Sequence, residues 1–304
     1  MRHGKYPFIL AFLLPAVGLY LLYVVSPYLQ AFYISMTDWS GLTADQSFIG
    51  FDNYATLWKD EQFWHALRNN AILLVLVPTI TVVLGLFLAS MLNVGGRARG
   101  GGVRGVAGSA LYKVVYFFPQ VLSVAIIGVM FKYVFAPTPS GGILNSLLDL
   151  VGVEAVAWLG PDLAFWSIMM VMIWAFVGFY VVLFSAAMQS IPRDVYEAAM
   201  LDGSSRVTTF RKITVPLVWD TVQVGWVYMA IEAMSVFAFV QIMVGDRGGQ
   251  GGAADVLGTQ LYRTAFGEFR FGRASALGVV LFFLTLIIVL LFMRLLRRER
   301  VELA

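Results

Sequence analysis

Six stretches of the chain stay apolar long enough to cross a bilayer, and polar segments of contrasting charge separate them. They cover about 7–33, 69–92, 112–135, 165–189, 221–244 and 274–296. A helix needs about 20 such residues to span the hydrocarbon core. Lipid offers backbone groups no partners, so an unbroken apolar run of that length is helical. The pattern therefore predicts an all-α polytopic membrane protein in one transmembrane domain over 1–304. The first stretch could pass for a secretory signal, but it is longer than a signal core and has no small-x-small cleavage site. It reads as an uncleaved first span.

The polar segments alternate in charge. Residues 38–64 carry Asp38, Asp45, Asp52, Asp60 and Glu61 against Lys59. The next segment sets Arg97, Arg99, Arg104 and Lys113 among glycines. Asp149, Glu154 and Asp162 follow the third span, and Arg294, Arg297, Arg298 and Arg300 close the sixth. Basic segments stay on the cytoplasmic side, so both termini are expected there. The glycine-rich segment 245–272 weakens the bias, because it carries Arg247, Arg263, Arg270 and Arg273 yet falls on the outward side.

Composition supports the membrane reading. The chain is 60% hydrophobic with a formal charge of only +3, and its mean hydropathy is +0.80. The lack of cysteine excludes thiol chemistry, and with histidine only at 3 and 65 a zinc or haem site is not expected. Gly100 to Gly105 formally matches G-x-G-x-x-G, but no strand precedes it, so it reads as a flexible basic linker.

The polar segment 190–220 is too long and too structured for a simple connection. Pro192 suits the first turn of a short helix, and Gly203 can take the left-handed conformation that ends it. Ser204 or Ser205 can then cap a second short helix to about Lys212, which Pro216 interrupts. The product is a helix-turn-helix outside the bilayer, with the look of a docking surface.

Glu197, Ala198, Ala199, Asp202, Gly203, Ile213 and Pro216 fall in a spacing that resembles the signature loop of membrane subunits of binding-protein-dependent ABC importers. Val215 stands where that family usually has Leu. The likeness continues in order through Phe48–Tyr54, Arg68-Asn69-Asn70, Phe135-Ala136-Pro137, Gly142–Asn145, Trp158-Leu159-Gly160, Gln189–Arg193 and Tyr262–Phe266. It is similar to the MalF-type and glycerol-3-phosphate-importer-type subunits of the carbohydrate branch.

The resemblance implies that the loop inserts into a cleft on a cytoplasmic ATPase pair, where Glu197 meets a basic residue. It also implies a second, non-identical permease subunit and an extracytoplasmic solute-binding protein delivering a sugar or sugar derivative. Besides lipid these are the expected partners, and nucleic acid is not among them.

None of the five lysines sits in a phosphate-binding loop, so the chain is not expected to hydrolyse ATP. ATP and Mg belong to the partner ATPase, and this chain is expected to hold no cofactor. No catalytic set converges in the spans either, which disfavours a membrane-embedded enzyme.

The one acid deep in an apolar run is Glu232. Its charge is costly at mid-bilayer unless it faces protein or water. Helical spacing sets Tyr228, Glu232, Ser235 and Phe239 on one face, a mixture suited to sugar. Trp174, Gly178, Ser185 and Gln189 form a comparable stripe on the fourth span. Both stripes have a plainer reading as interhelical packing. An alternative function is a secondary transporter with Glu232 as its ion or proton relay. Trp39, Trp58, Trp64 and Trp158 are expected to anchor the interface.

Overall fold

The computed structural model describes residues 5–94, 96–97, 103–137 and 142–295. The first half of the G-x-G-x-x-G match, Gly100 to Gly102, and the basic tail beyond Leu295 lie outside them, as do Arg99 and the first four residues. In chain order, α1 (Lys5–Tyr20) runs through a π-helical turn into α2 (Ser26–Ile34), and α3 (Asp52–Trp58) precedes α4 (Glu61–Val94). A two-residue antiparallel ribbon, β1 (Gly96–Arg97) with β2 (Val103–Arg104), gives the expected linker some order. Then come α5 (Ser109–Val121), α6 (Val124–Val134), α7 (Ile143–Leu150), α8 (Ala164–Gln189), α9 (Arg193–Leu201), α10 (Arg206–Thr209) and α11 (Val215–Leu217). The described chain closes with α12 (Trp219–Met234), α13 (Phe237–Met243), α14 (Leu257–Tyr262) and α15 (Phe271–Leu295).

Among the described residues, four helices are long and apolar enough to cross a membrane alone, at Ile9–Ile34, Glu61–Asn93, Ala164–Gln189 and Phe271–Leu295. The third and fifth spans are bent pairs, α5 with α6 at 97° and α12 with α13 at 44°, and counting each pair once gives six. The expectation of unbroken helices over 112–135 and 221–244 is corrected here. Pro119 stands in the last turn of α5 and Leu122 is extended. Ser123 then restarts the helix, its hydroxyl accepting from the Ile126 amide at 3.4 Å. The glycine-rich segment 245–272 is also more ordered than expected, because it contains α14 and a π-helical turn at Arg263–Gly267.

Contacts within the chain cluster into two units. The unit of residues 1–65 and 260–283 is tied by polar staples. Asn53 Nδ2 donates to the carbonyls of Ser35 (2.9 Å) and Thr37 (2.8 Å), and Tyr54 Oη lies 2.7 Å from Ser35 Oγ. Arg273 pairs with Asp60.

The unit of residues 66–259 and 284–304 is built around α8, whose Ile168, Met172, Tyr180 and Phe184 are fully buried. Apolar burial gains little against lipid, so packing and hydrogen bonds hold such a bundle together. Trp226 stacks on Phe292 with centroids 3.5 Å apart and donates to Thr79 Oγ1 at 3.1 Å. Asn69 Nδ2 donates to the carbonyls of Ala253 (3.1 Å) and Asp255 (2.9 Å). Asn145 accepts from the Val156 amide and from Trp158 Nε1, at 3.0 and 3.2 Å. Trp158, half-buried and stacked near Phe135, thus packs in this unit rather than only anchoring an interface.

Candidate functional site

The segment after α8 folds as a helical hairpin. Pro192 takes the N-cap position of α9 with an extended ψ of 139°, one place before the expected first turn. Asp194 lies in the first turn, where a negative charge complements the helix dipole. Asp202 caps the far end and Gly203 follows at φ +73°. The Ser204 amide reaches back to the Ala199 carbonyl (2.9 Å) and the Gly203 amide to that of Met200 (3.0 Å). This paired closure needs a residue of positive φ at position 203.

Ser205 then caps α10, accepting from the Thr208 amide at 3.2 Å. The second arm does not stop near Lys212, as expected, but passes through a π-helical turn at Phe210–Thr214 into α11. The wider turn carries the helix into Pro216, which has no amide hydrogen to donate, and the break falls at Val218.

The hairpin has an inner and an outer side. Tyr196 and Ala199 are buried, and Tyr196 Oη lies 3.3 Å from Thr214 Oγ1, joining the arms. Burial pushes the Tyr196 phenol above its ordinary range against the smaller opposing effect of that hydrogen bond, so it stays neutral at physiological pH. Ile213 and Pro216 are half-buried in the second arm. Glu197, Ala198, Asp202 and Gly203 are exposed, and Glu197 has no ion-pair partner among the described residues. Leu201, which the sequence did not single out, is 90% exposed beside them. Leu201 and Glu197, one helical turn apart, are both left exposed by this chain.

The two polar stripes part company. On α8, a Cβ added at Gly178 would run into the Tyr116 carbonyl oxygen of α5, so the two backbones touch there. Ser185 is 1% exposed and accepts from Asn93 Nδ2 at 2.9 Å. Gln189 donates to Asn93 Oδ1 at 3.4 Å. Trp174 is exposed, with its ring edge-on to Phe131 at 5.0 Å.

On α12, Tyr228 is 46% exposed, Ser235 is exposed and Glu232 is half-buried. The Glu232 carboxylate has no hydrogen bond or ion pair among the described residues. Phe239 does not share this face. The break at Ser235 and Val236 turns α13, and Phe239 is 1% exposed against Phe176 at 6.3 Å.

Tyr180 escaped the sequence reading. Its hydroxyl is buried without a hydrogen-bond partner among the described residues. A tyrosine amid an apolar span was the available signal. No cluster of acidic or histidine side chains able to hold a metal ion occurs among the described residues.

A bent-helix membrane bundle with an exposed hairpin has the makings of a transport subunit. Residues 82–301 match the family described as the binding-protein-dependent transport system inner membrane component, and the chain belongs to that family. It is a permease subunit of a binding-protein-dependent ABC importer and not an enzyme.

The chain is 38% identical to the diacetylchitobiose uptake system permease protein NgcF of Streptomyces coelicolor, over 94% of this chain and 81% of that protein. It is 34% identical to the xylose/arabinose import permease protein XacH of Haloferax volcanii, over 81% of this chain and 74% of that one. Among solved structures, it superposes at a TM-score of 0.80 on a chain of a bacterial ABC transporter importing the acidic polysaccharide alginate. That match has 25% identity and covers 97% and 96% of the two chains.

Proposed function

We propose that this permease forms half of a translocation pathway for a sugar or sugar derivative, driven by ATP and Mg on a separate ATPase pair. Its relatives serve diacetylchitobiose, pentoses and alginate, which supports a carbohydrate without selecting one. A solute-binding protein delivers the substrate, and a second, non-identical permease completes the path. Both termini lie in the cytoplasm, an orientation supported by the alternating loop charges. Labelling single cysteines with an impermeant reagent tests it: Asp45→Cys reacts from outside and Ser204→Cys does not, and outside reaction of Ser204→Cys reverses the orientation.

The observation that carries the coupling role is the hairpin. It is closed by Gly203 and braced by Tyr196, and it holds out Glu197, Ala198, Asp202 and Leu201. These residues form the ATPase-facing side, with Ala199, Ile213 and Pro216 packing behind them. Tyr228, Glu232 and Ser235 line the substrate path with Tyr180 behind them, while Phe239 packs from the core. An ion relay at Glu232 is not needed in a family whose transport is driven by a separate ATPase.

The test is uptake and ATPase co-purification per inserted subunit. Glu197→Ala and Gly203→Val abolish both. Gly203→Asn, which tolerates positive φ, retains them in large part. Unchanged co-purification and uptake in Glu197→Ala and Gly203→Val together would contradict the coupling role.

A further inference from the structure

Next to the hairpin's second arm lies an apolar groove of about 620 Å³, within the size range of ligand sites. The last turns of α4 supply Phe87, Leu88 and Met91 to its floor, and α5 supplies Tyr112 and Tyr116. Val207 and Phe210 close one side, and Arg206 and Arg211 also line it. No acidic residue lines the groove, and neither arginine has an ion-pair partner among the described residues.

The surroundings indicate what fills it. Along α4 the exposed positions Val83, Phe87 and Met91 recur every four residues, and on α5 Val114, Val115 and Phe118 are exposed in the same way. Both are apolar surfaces, as expected of helix faces that meet lipid, and the α4 surface leads into the groove through Phe87 and Met91. A water-lined path would instead carry polar groups of the kind found on α12. The groove thus sits where two spans end and a polar segment begins, at a membrane–water boundary whichever side that is.

An apolar trough continuous with a lipid-facing surface, with two cationic side chains along it, complements one kind of molecule. We propose that it holds an anionic phospholipid, its acyl chain along Phe87, Met91 and Phe210 and its phosphate on Arg206 and Arg211. Arginine suits a phosphate diester because its planar fork can give two hydrogen bonds at once. A lipid there would brace the second arm against α4 and α5.

The test is native mass spectrometry of the full chain released from mixed micelles of phosphatidylglycerol and phosphatidylcholine in equal amounts. The wild-type chain should retain phosphatidylglycerol in preference to phosphatidylcholine. The double variant Arg206→Gln/Arg211→Gln should lose that preference by about twenty-fivefold, since each arginine near a lipid surface contributes roughly a fivefold gain. Met91→Trp, which fills the trough and leaves both arginines, should reduce retention as well, while Arg193→Gln outside the groove should not. No preference in the wild-type chain, or equal loss in Arg193→Gln, would overturn the site. So would a Val207→Cys side chain in native membranes cross-linking to another protein, since the groove would then be a subunit contact.

Discussion

The polar stripes of α8 and α12 look alike in the sequence, but the middle of the α8 stripe, between exposed Trp174 and Gln189, ends in an environment opposite to that of the α12 stripe. Gly178 and Ser185 face inward, one against the α5 backbone and the other on Asn93. Tyr228, Glu232 and Ser235 face a side of α12 that this chain leaves partly open. The difference lies in what crosses each helix. A small or polar residue serves packing where a neighbouring backbone comes within touching distance, and is free for a solute where none does. Tyr228 marks the border between the two regimes, since its ring rests against Phe179 of α8 at 5.7 Å.

The largest effect should come from spoiling the packing stripe. Gly178→Val drives a branched side chain into the α5 backbone, beyond the about 1–3 kcal/mol of ordinary overpacking. Folded, membrane-inserted subunit should be lost, as read by size-exclusion chromatography of detergent extracts. A normal yield would mean that α5 can move away and that the contact is not structural.

Next comes the open stripe. Glu232→Leu should remove most uptake per assembled complex while leaving assembly intact, and Glu232→Gln should keep an intermediate rate by preserving shape and part of the hydrogen bonding. Uptake of several sugars, normalised to complex, is the readout. A fall in assembly with normal uptake per complex would move Glu232 into the packing class.

A smaller effect is expected at Ser185. Ser185→Ala leaves Asn93 with one partner fewer, at a cost of about 1–3 kcal/mol. It should lower the thermal midpoint of the solubilised subunit without changing uptake per complex. The smallest belongs to Tyr196→Phe, which removes the hydroxyl joining the hairpin arms at about 0.5–1.5 kcal/mol. Its signature is a looser hairpin, read as faster amide exchange around Thr214 with near-normal insertion.

Much of this architecture was legible in the sequence, for physical reasons. Apolar run length placed the fourth span within a residue of its observed start, Ala164, and the loop chemistry of Gly203 and Ser205 placed the hairpin. Hydropathy averages over a bend, so the breaks at Leu122–Ser123 and Ser235–Val236 did not register, although Pro119 and Ser123 were in plain view. One consequence was Phe239, which shares a face with Glu232 only on a straight helix. The second arm overran Lys212 because a π-helical turn leaves no simple mark in composition.

The asparagines of the family-like motifs show another limit. Asn53, Asn69 and Asn145 stood out as pattern, but their work is to bond backbone groups of distant segments, which only folded coordinates place within reach. Tyr180 was missed because a lone tyrosine has no periodicity, and its neighbours on α12 lie almost fifty positions away.

The most direct test of the contrast uses the absence of native cysteine. Single variants Ser235→Cys and Ser185→Cys, each in the assembled importer in native membranes, are treated with a water-soluble maleimide and compared before and after denaturation. Ser235→Cys should react in the folded complex, and Ser185→Cys only once the chain is unfolded. Equal labelling of both, or labelling of Ser185→Cys alone, would contradict the assignment of α12 to the substrate path and α8 to the packed core.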